Sequence, residues 1–189
     1  TMNEDKAATI NSKACISCGA CVYQCPFGAI TDVSFITDVI EMIKGSDSNR
    51  RYRMYAVVAP SISSQFTYAR LGQVVTGLKV LGFHSVVEAA LGADMVAEAE
   101  SRAFVDYIQK NFPDLAPFVS HNLSPMATIS RYIKEKEPEA KVVFIGPCTA
   151  KKKEVQKEEV RPFVDAAMTF EELQALFDSR DIDITTLEE

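Results

Sequence analysis

Cys15-Ile-Ser-Cys18-Gly-Ala-Cys21-Val-Tyr-Gln-Cys25-Pro26 decides how the N-terminal part of this chain folds, because it gathers four of the five cysteines of the sequence into one short run. Disulfides are the bland reading of such a run. They fit poorly here, since the N-terminus lacks a basic-then-apolar secretory pattern and a reducing compartment keeps thiols free. Metal ligation is the better reading. Thiolates are soft donors that bind iron well, and the two-residue gaps from Cys15 to Cys18 to Cys21 let one turn of backbone wrap three corners of a cubane, with Gly19 permitting the tight loop. Zinc is the runner-up, but zinc ribbons split their cysteines into two distant pairs, whereas this run is continuous and closes on Cys25-Pro26. The spacing is that of a bacterial ferredoxin-type 4Fe-4S site, in which the fourth cysteine ordinarily serves a second cluster. Cys15, Cys18 and Cys21 would then need one further ligand, from an upstream segment or from Cys25 itself.

Working outward, residues 1–33 read as a cysteine loop between two short β-type stretches, Ala8-Thr9-Ile10 and Ala29-Ile30-Thr31. Metal binding would supply most of the folding free energy of such a coreless piece. Residues 34–53 read as a helix over Phe35 to Lys44, with apolar residues at i, i+3, i+4 and i+7, followed by a linker through Gly45-Ser46-Asp47-Ser48-Asn49.

From residue 54 the pattern changes. Tyr55 to Ala59 reads as a buried strand, Ala69 to Leu81 as a helix ending at Gly82, Ser85 to Ala89 as a strand, and a helix begins near Ala93 and Asp94. Helices over Phe104–Asn111 and Ser124–Glu135 follow, then strands Lys141–Ile145 and Asp165–Met168, and a helix over Phe170–Ser179 capped by Thr169. This order predicts an α+β ferredoxin-like cluster domain and then an α/β lobe over 54–189 with a mostly parallel sheet of about four strands. Lys151 to Glu159 is a charge run, read as a solvated loop or helix end in which one lysine has a further role.

The chain is 189 residues long, 47% hydrophobic and carries a formal charge of -6, which suits a soluble globular protein and argues against a nucleic-acid partner. No apolar run approaches the roughly 18 residues of a membrane span. A cytoplasmic location is the expectation.

The fifth cysteine lies in Val142-Val-Phe-Ile-Gly-Pro-Cys148-Thr-Ala-Lys151-Lys152, at the end of a strand, where α/β folds place ligands. A lone cysteine there is more often inert than functional. However, Pro-Cys-Thr-Ala-Lys-Lys resembles a signature segment of the iron-only (FeFe) hydrogenases, and so does Ala59-Pro60-Ser61 after the first strand. Gly92-Ala93-Asp94, Asn122-Leu-Ser124-Pro125 and Asp165-Ala-Ala-Met-Thr169 stand where that family has similar stretches. Gly146 replaces a methionine common before Pro-Cys, and Met126 a glutamine common after Ser-Pro, which suggests a divergent branch.

The resemblance implies reversible reduction of protons to hydrogen, with electrons entering through the ferredoxin-type cluster from a ferredoxin or similar carrier. It implies that Cys148 binds the cubane of the active-site cluster, a 4Fe-4S unit linked to a two-iron centre with CO and cyanide ligands. Lys151 would hydrogen-bond the cyanide of the distal iron and Ser61 the proximal cyanide, and Pro60 is expected at the site as part of the same Ala59-Pro60-Ser61 segment. Glu100 falls near a carboxylate of the family's proton path, but reads from the residues as a solvated helix glutamate. Two parts of the family pattern are missing. Thr-Ser-x-Cys-Cys-Pro-Ala-aromatic should precede Phe104, where only Ala103-Phe104 matches its tail, and a cysteine pair in a glycine-rich context should follow Glu189. The expectation is a fragment that needs the rest of the hydrogenase polypeptide and does not turn over hydrogen alone. The alternative is a non-catalytic electron-transfer or sensing module related to hydrogenases; a zinc-binding interaction module stands further off.

Overall fold

Met54–Val58 and Val142–Ile145 are unbroken apolar runs rather than alternating ones, the pattern of strands covered on both faces, and they lie in the two central strands of the sheet. The structure is a computed structural model that describes residues 10–11, 14–94, 102–113 and 123–189. In chain order the elements are α1 (Ala20–Gln24), α2 (Ile36–Gly45), β1 (Met54–Val58), α3 (Ile62–Gln65), α4 (Leu71–Leu81), β2 (Ser85–Glu88), α5 (Ala90–Asp94) and α6 (Arg102–Asn111). Then follow α7 (Pro125–Lys136), β3 (Lys141–Ile145), α8 (Ala150–Glu154), β4 (Ala166–Met168), α9 (Phe170–Ser179) and a final 3-10 turn at Ile184–Thr186.

The sheet has four strands in the order β2-β1-β3-β4, all parallel. Val58 lies opposite Glu88 on one side and Ile145 on the other, so three strands finish in register at one edge. Parallel pairing forces each connection to cross back over the sheet, and helices make those crossings. The core runs through Ala56, Val57, Val142, Val143, Ile145 and Ala166, none of them exposed. Helix α4 approaches α9 closely because residue 77 is glycine: a Cβ there would lie 2.8 Å from Ile184 and 3.0 Å from Phe177. The α2 helix joins the same core through Val39, fully buried, and the break after it is an ordered turn in which Asp47, Ser48 and Asn49 are left-handed. Asn49 holds that turn to β1 and to the end of α4, accepting from the Met54 N–H at 2.8 Å and donating to the Gly82 carbonyl at 3.0 Å.

Several expectations shift. Ala29-Ile30-Thr31 forms no strand; the Ala29 and Ile30 amides turn toward the Cys25 sulfur instead of a neighbouring strand. Of its expected partner, Ile10 is irregular and Ala8 and Thr9 lie outside the described residues. Helix α5 starts at Ala90, before Ala93, because β2 ends at Glu88 and the Gly92 amide already closes a turn on Ala89. Strand β4 starts one residue after Asp165, whose carboxylate accepts from the Val142 N–H at 2.8 Å and pairs with Lys134 and Lys141. The largest departure is the charge run: Lys152 is 4% and Glu154 1% exposed, so α8 is a packed helix and not a solvated one. Both foreseen caps form. Ser124 Oγ accepts from the Ala127 amide, and Thr169 makes a reciprocal capping box with Glu172. Removing one such cap costs about 1 kcal/mol; Thr169→Ala is therefore expected to lower unfolding stability by about that amount in urea denaturation, while Thr169→Ser retains it.

Candidate metal centre

The chain passes from β1 to β2 on one side of β1, then returns to place β3 on its other side. The carboxyl ends of β1 and β3 are thus the point where the winding direction reverses, which is where open α/β sheets bind ligands. Pro60 and Ser61 follow β1 there, Ser61 as the residue before α3, and the Ala59 amide ties this turn to the Ile145 carbonyl at 2.8 Å. Across from them the loop after β3 carries Cys148, exposed, and leads into α8. The fold therefore brings Pro60, Ser61, Cys148 and Lys151 to one edge of the sheet. Gly92 belongs to the same neighbourhood: a Cβ there would lie 2.0 Å from the Pro125 carbonyl oxygen, so α5 can rest on the start of α7 only with glycine. Glu100 lies outside the described residues.

Lys151 is held rather than free to swing. Its ammonium pairs with Glu154 at 2.7 Å and lies 5.9 Å from the Phe144 ring centre, while the second Glu154 oxygen accepts from the Ser124 hydroxyl. A buried carboxylate is tolerated only when paired and hydrogen-bonded, and Glu154 has both kinds of partner. Sequence reasoning passes over Glu154. Its i+3 spacing from Lys151 is a usable signal, hidden by the charges around it.

On the other side of α8 sits the cysteine loop. Ser17 and Gly19 adopt left-handed backbone angles, φ 58 and 78, which fold the loop back into α1. Cys15 and Cys21 line a cavity of about 240 Å³ together with Thr149, Lys152 and Lys153; Cys18 and Cys25 do not line it. Among the described residues no three potential ligands converge into a formed metal group. Cys25 has its own setting. Backbone amides, Phe27 first and then Ala29, hydrogen-bond its sulfur and draw its pKa below the ordinary thiol value, against a smaller opposing effect of burial. Two thiols on a cavity and a third sulfur in an amide cradle suit thiolate ligation of an iron–sulfur cluster. At the sheet edge the donors do not suffice: Cys148 is one thiol, a cubane needs four ligands, and the edge by itself does not complete an active-site cluster.

Three residues after Cys148 grip the cysteine segment. The Thr149 hydroxyl donates to the Ser17 carbonyl at 2.9 Å, and Lys153 donates to the Cys15 carbonyl at 3.3 Å. Lys152 pairs with Asp32 at 2.5 Å and with Glu172 at 2.8 Å, and Glu172 also accepts from the Ser34 hydroxyl.

A cavity carrying two thiols, joined to the ligand edge of a parallel sheet, makes this an α/β protein with a candidate thiolate centre. The sequence pattern described as "Iron only hydrogenase large subunit, C-terminal domain" matches residues 52–105 and 100–189, and that described as "4Fe-4S binding domain" matches residues 8–31. The chain belongs to the iron-only hydrogenase large-subunit family. The hydrogenase match comes in two pieces that overlap at residues 100–105. A curated relative, the NADP-reducing hydrogenase subunit HndD of Solidesulfovibrio fructosivorans, is 24% identical over 92% of this chain, which spans 37% of that protein. Their 215 aligned positions exceed the 189 residues of this chain, so the relative carries additional residues within the aligned region. The apo [FeFe]-hydrogenase HydA1 from Chlamydomonas reinhardtii, variant C377H, shares the fold with a TM-score of 0.68 at 24% identity, over 83% of this chain and 50% of that one. Among the described residues no helix is long and apolar enough to cross a membrane.

Breaking a buried ion pair by removing one partner costs about 3–5 kcal/mol. Lys152→Ala is expected to destabilise the chain by that order in urea unfolding and to expose the segment around Asp32 to proteolysis, whereas Lys152→Met, which keeps the apolar stem, loses less. In the metal-free chain, alkylation of Cys25 by iodoacetamide should reach half its maximal rate at a lower pH than a free cysteine, about 8.5; a midpoint at or above that value contradicts the amide cradle.

Proposed function

We propose that this chain is a section of an FeFe-hydrogenase polypeptide, comprising an electron-entry cluster site and one wall of the active-site cavity, and that by itself it accepts and passes electrons without turning over hydrogen. The observation that carries the reading is the junction on α8, where the residues following Cys148 are bonded to the loop of Cys15 and Ser17. Domain limits of 1–33, 34–53 and 54–189 fit this division of labour.

Cys15, Cys18 and Cys21 would hold a 4Fe-4S cluster, which when bound supplies one-electron transfer. Cys25, outside the cavity that Cys15 and Cys21 line, would serve either as the fourth ligand or as a ligand of a neighbouring cluster. The residues of the chain do the rest. Thr149 and Lys152 fix the cysteine segment against the sheet edge, and the backbone amides around Cys25 lower its pKa and so favour its thiolate form. Glu154 and Ser124 hold the Lys151 ammonium at the end of β3. In a polypeptide that supplies the missing ligands, Cys148 would be one thiolate of the active-site cluster, and Lys151 and Ser61 would donate hydrogen bonds to its cyanides, with Pro60 setting the turn. A ferredoxin-like carrier in the cytoplasm is the proposed electron donor.

Incubated anaerobically with iron, sulfide and thiol, the chain should gain broad visible absorbance that bleaches on reduction and returns on oxidation, and should evolve no hydrogen from reduced methyl viologen. Enzyme-like hydrogen evolution overturns the fragment reading; metal uptake without reversible bleaching, as with zinc, overturns the electron-entry reading.

A further inference from the structure

The Cys15 carbonyl accepts from two lysines that come from separate parts of the fold. Lys153 reaches it from α8 at 3.3 Å, and Lys110 reaches it from the last turn of α6. Both side chains are half-buried, and Lys153 lines the same cavity as Cys15 and Cys21. Both ammonium groups stand beside the main chain of Cys15, where negative charge gained nearby would be attracted to them.

We infer that Lys110 and Lys153 form a cationic clamp on the Cys15 side of the cluster site that stabilises the reduced cluster and raises its reduction potential. The inference rests on the reading of Cys15, Cys18 and Cys21 as cluster ligands. A cluster held by thiolates is anionic, and taking up one electron adds one further unit of negative charge with no bond made or broken and no proton moved. Fixed cations at half-buried positions are screened less than those on open surface, and they favour the more negative, reduced form. Net charge and hydrogen bonding around a cluster are the protein's means of setting its potential. Lys153 lies on the helix that follows Cys148, so the clamp stands where the cysteine loop meets α8.

The test is the midpoint potential of the reconstituted full chain, followed by EPR during stepwise reduction with dithionite, with 2-mercaptoethanol present to supply any missing thiolate. Lys153→Gln and Lys110→Gln are each expected to shift the midpoint to more negative values at unchanged iron and sulfide content, and the double variant to shift it further. Lys153→Arg should restore it. Lys79→Gln, which removes the same charge from an exposed position on α4, should leave it in place. Equal midpoints in all variants, or a shift by Lys79→Gln as large as those at the clamp, overturn the inference. A wild-type chain that takes up no iron and sulfide overturns the underlying ligand reading instead, and the two failures are read from different measurements.

Discussion

The parallel pairing of β1 with β3, from Met54 opposite Lys141 to Val58 opposite Ile145, is the constraint on which the rest depends. It sets the two loops that leave these strands side by side at the point where the sheet reverses its winding. One loop delivers Pro60 and Ser61 and the other Cys148. Strands with continuous apolar runs such as Met54–Val58 and Val142–Ile145 are buried on both faces in such a sheet, and the hydrophobic effect that buries them also fixes the register. A slip of one residue would turn every core side chain to the opposite face.

The α8 helix converts this placement into a junction. Its successive lysines do different things: Lys151 bonds to Glu154, Lys152 to Asp32 and Glu172, and Lys153 to the Cys15 carbonyl. Burying Lys152 and Glu154 carries a desolvation cost that their partners must offset, and such arrangements contribute less to net stability than apolar packing would. What they contribute is alignment. An ion triad joining Lys152 to one carboxylate from the cysteine segment and one from α9 is satisfied in only one arrangement of the two parts. The cysteine segment leaves Tyr23 and Phe27 exposed and has no buried residue in α1, so apolar packing contributes little to its docking.

The strands, the caps at Ser124 and Thr169 and the cysteine run were legible because each is encoded locally, by composition, by one side chain at a helix start or by fixed spacing. The chemistry of α8 was not. Lys152 and Glu154 sit among other charges and look solvated, and their partners Asp32, Glu172 and Ser124 are far away in sequence, so their burial follows only from the tertiary fold. Ala29 to Thr31 looked like a strand for the opposite reason. Its local composition favours extension, but its amides have a sulfur to satisfy. The edge formed by Pro60, Ser61, Cys148 and Lys151 was read through resemblance; the sheet order supplies the physical reason why those segments meet.

The central claim is that the loop docked on α8 is a site for an iron–sulfur cluster. Metal and acid-labile sulfide analysis of the anaerobically reconstituted chain, beside its Cys15→Ser and Cys21→Ser variants, tests this most directly. Iron and sulfide bound in equal amounts, about four of each as for a cubane, and lost together in both variants, is the predicted result. Zinc in place of iron, or iron and sulfide that survive both substitutions, would contradict it.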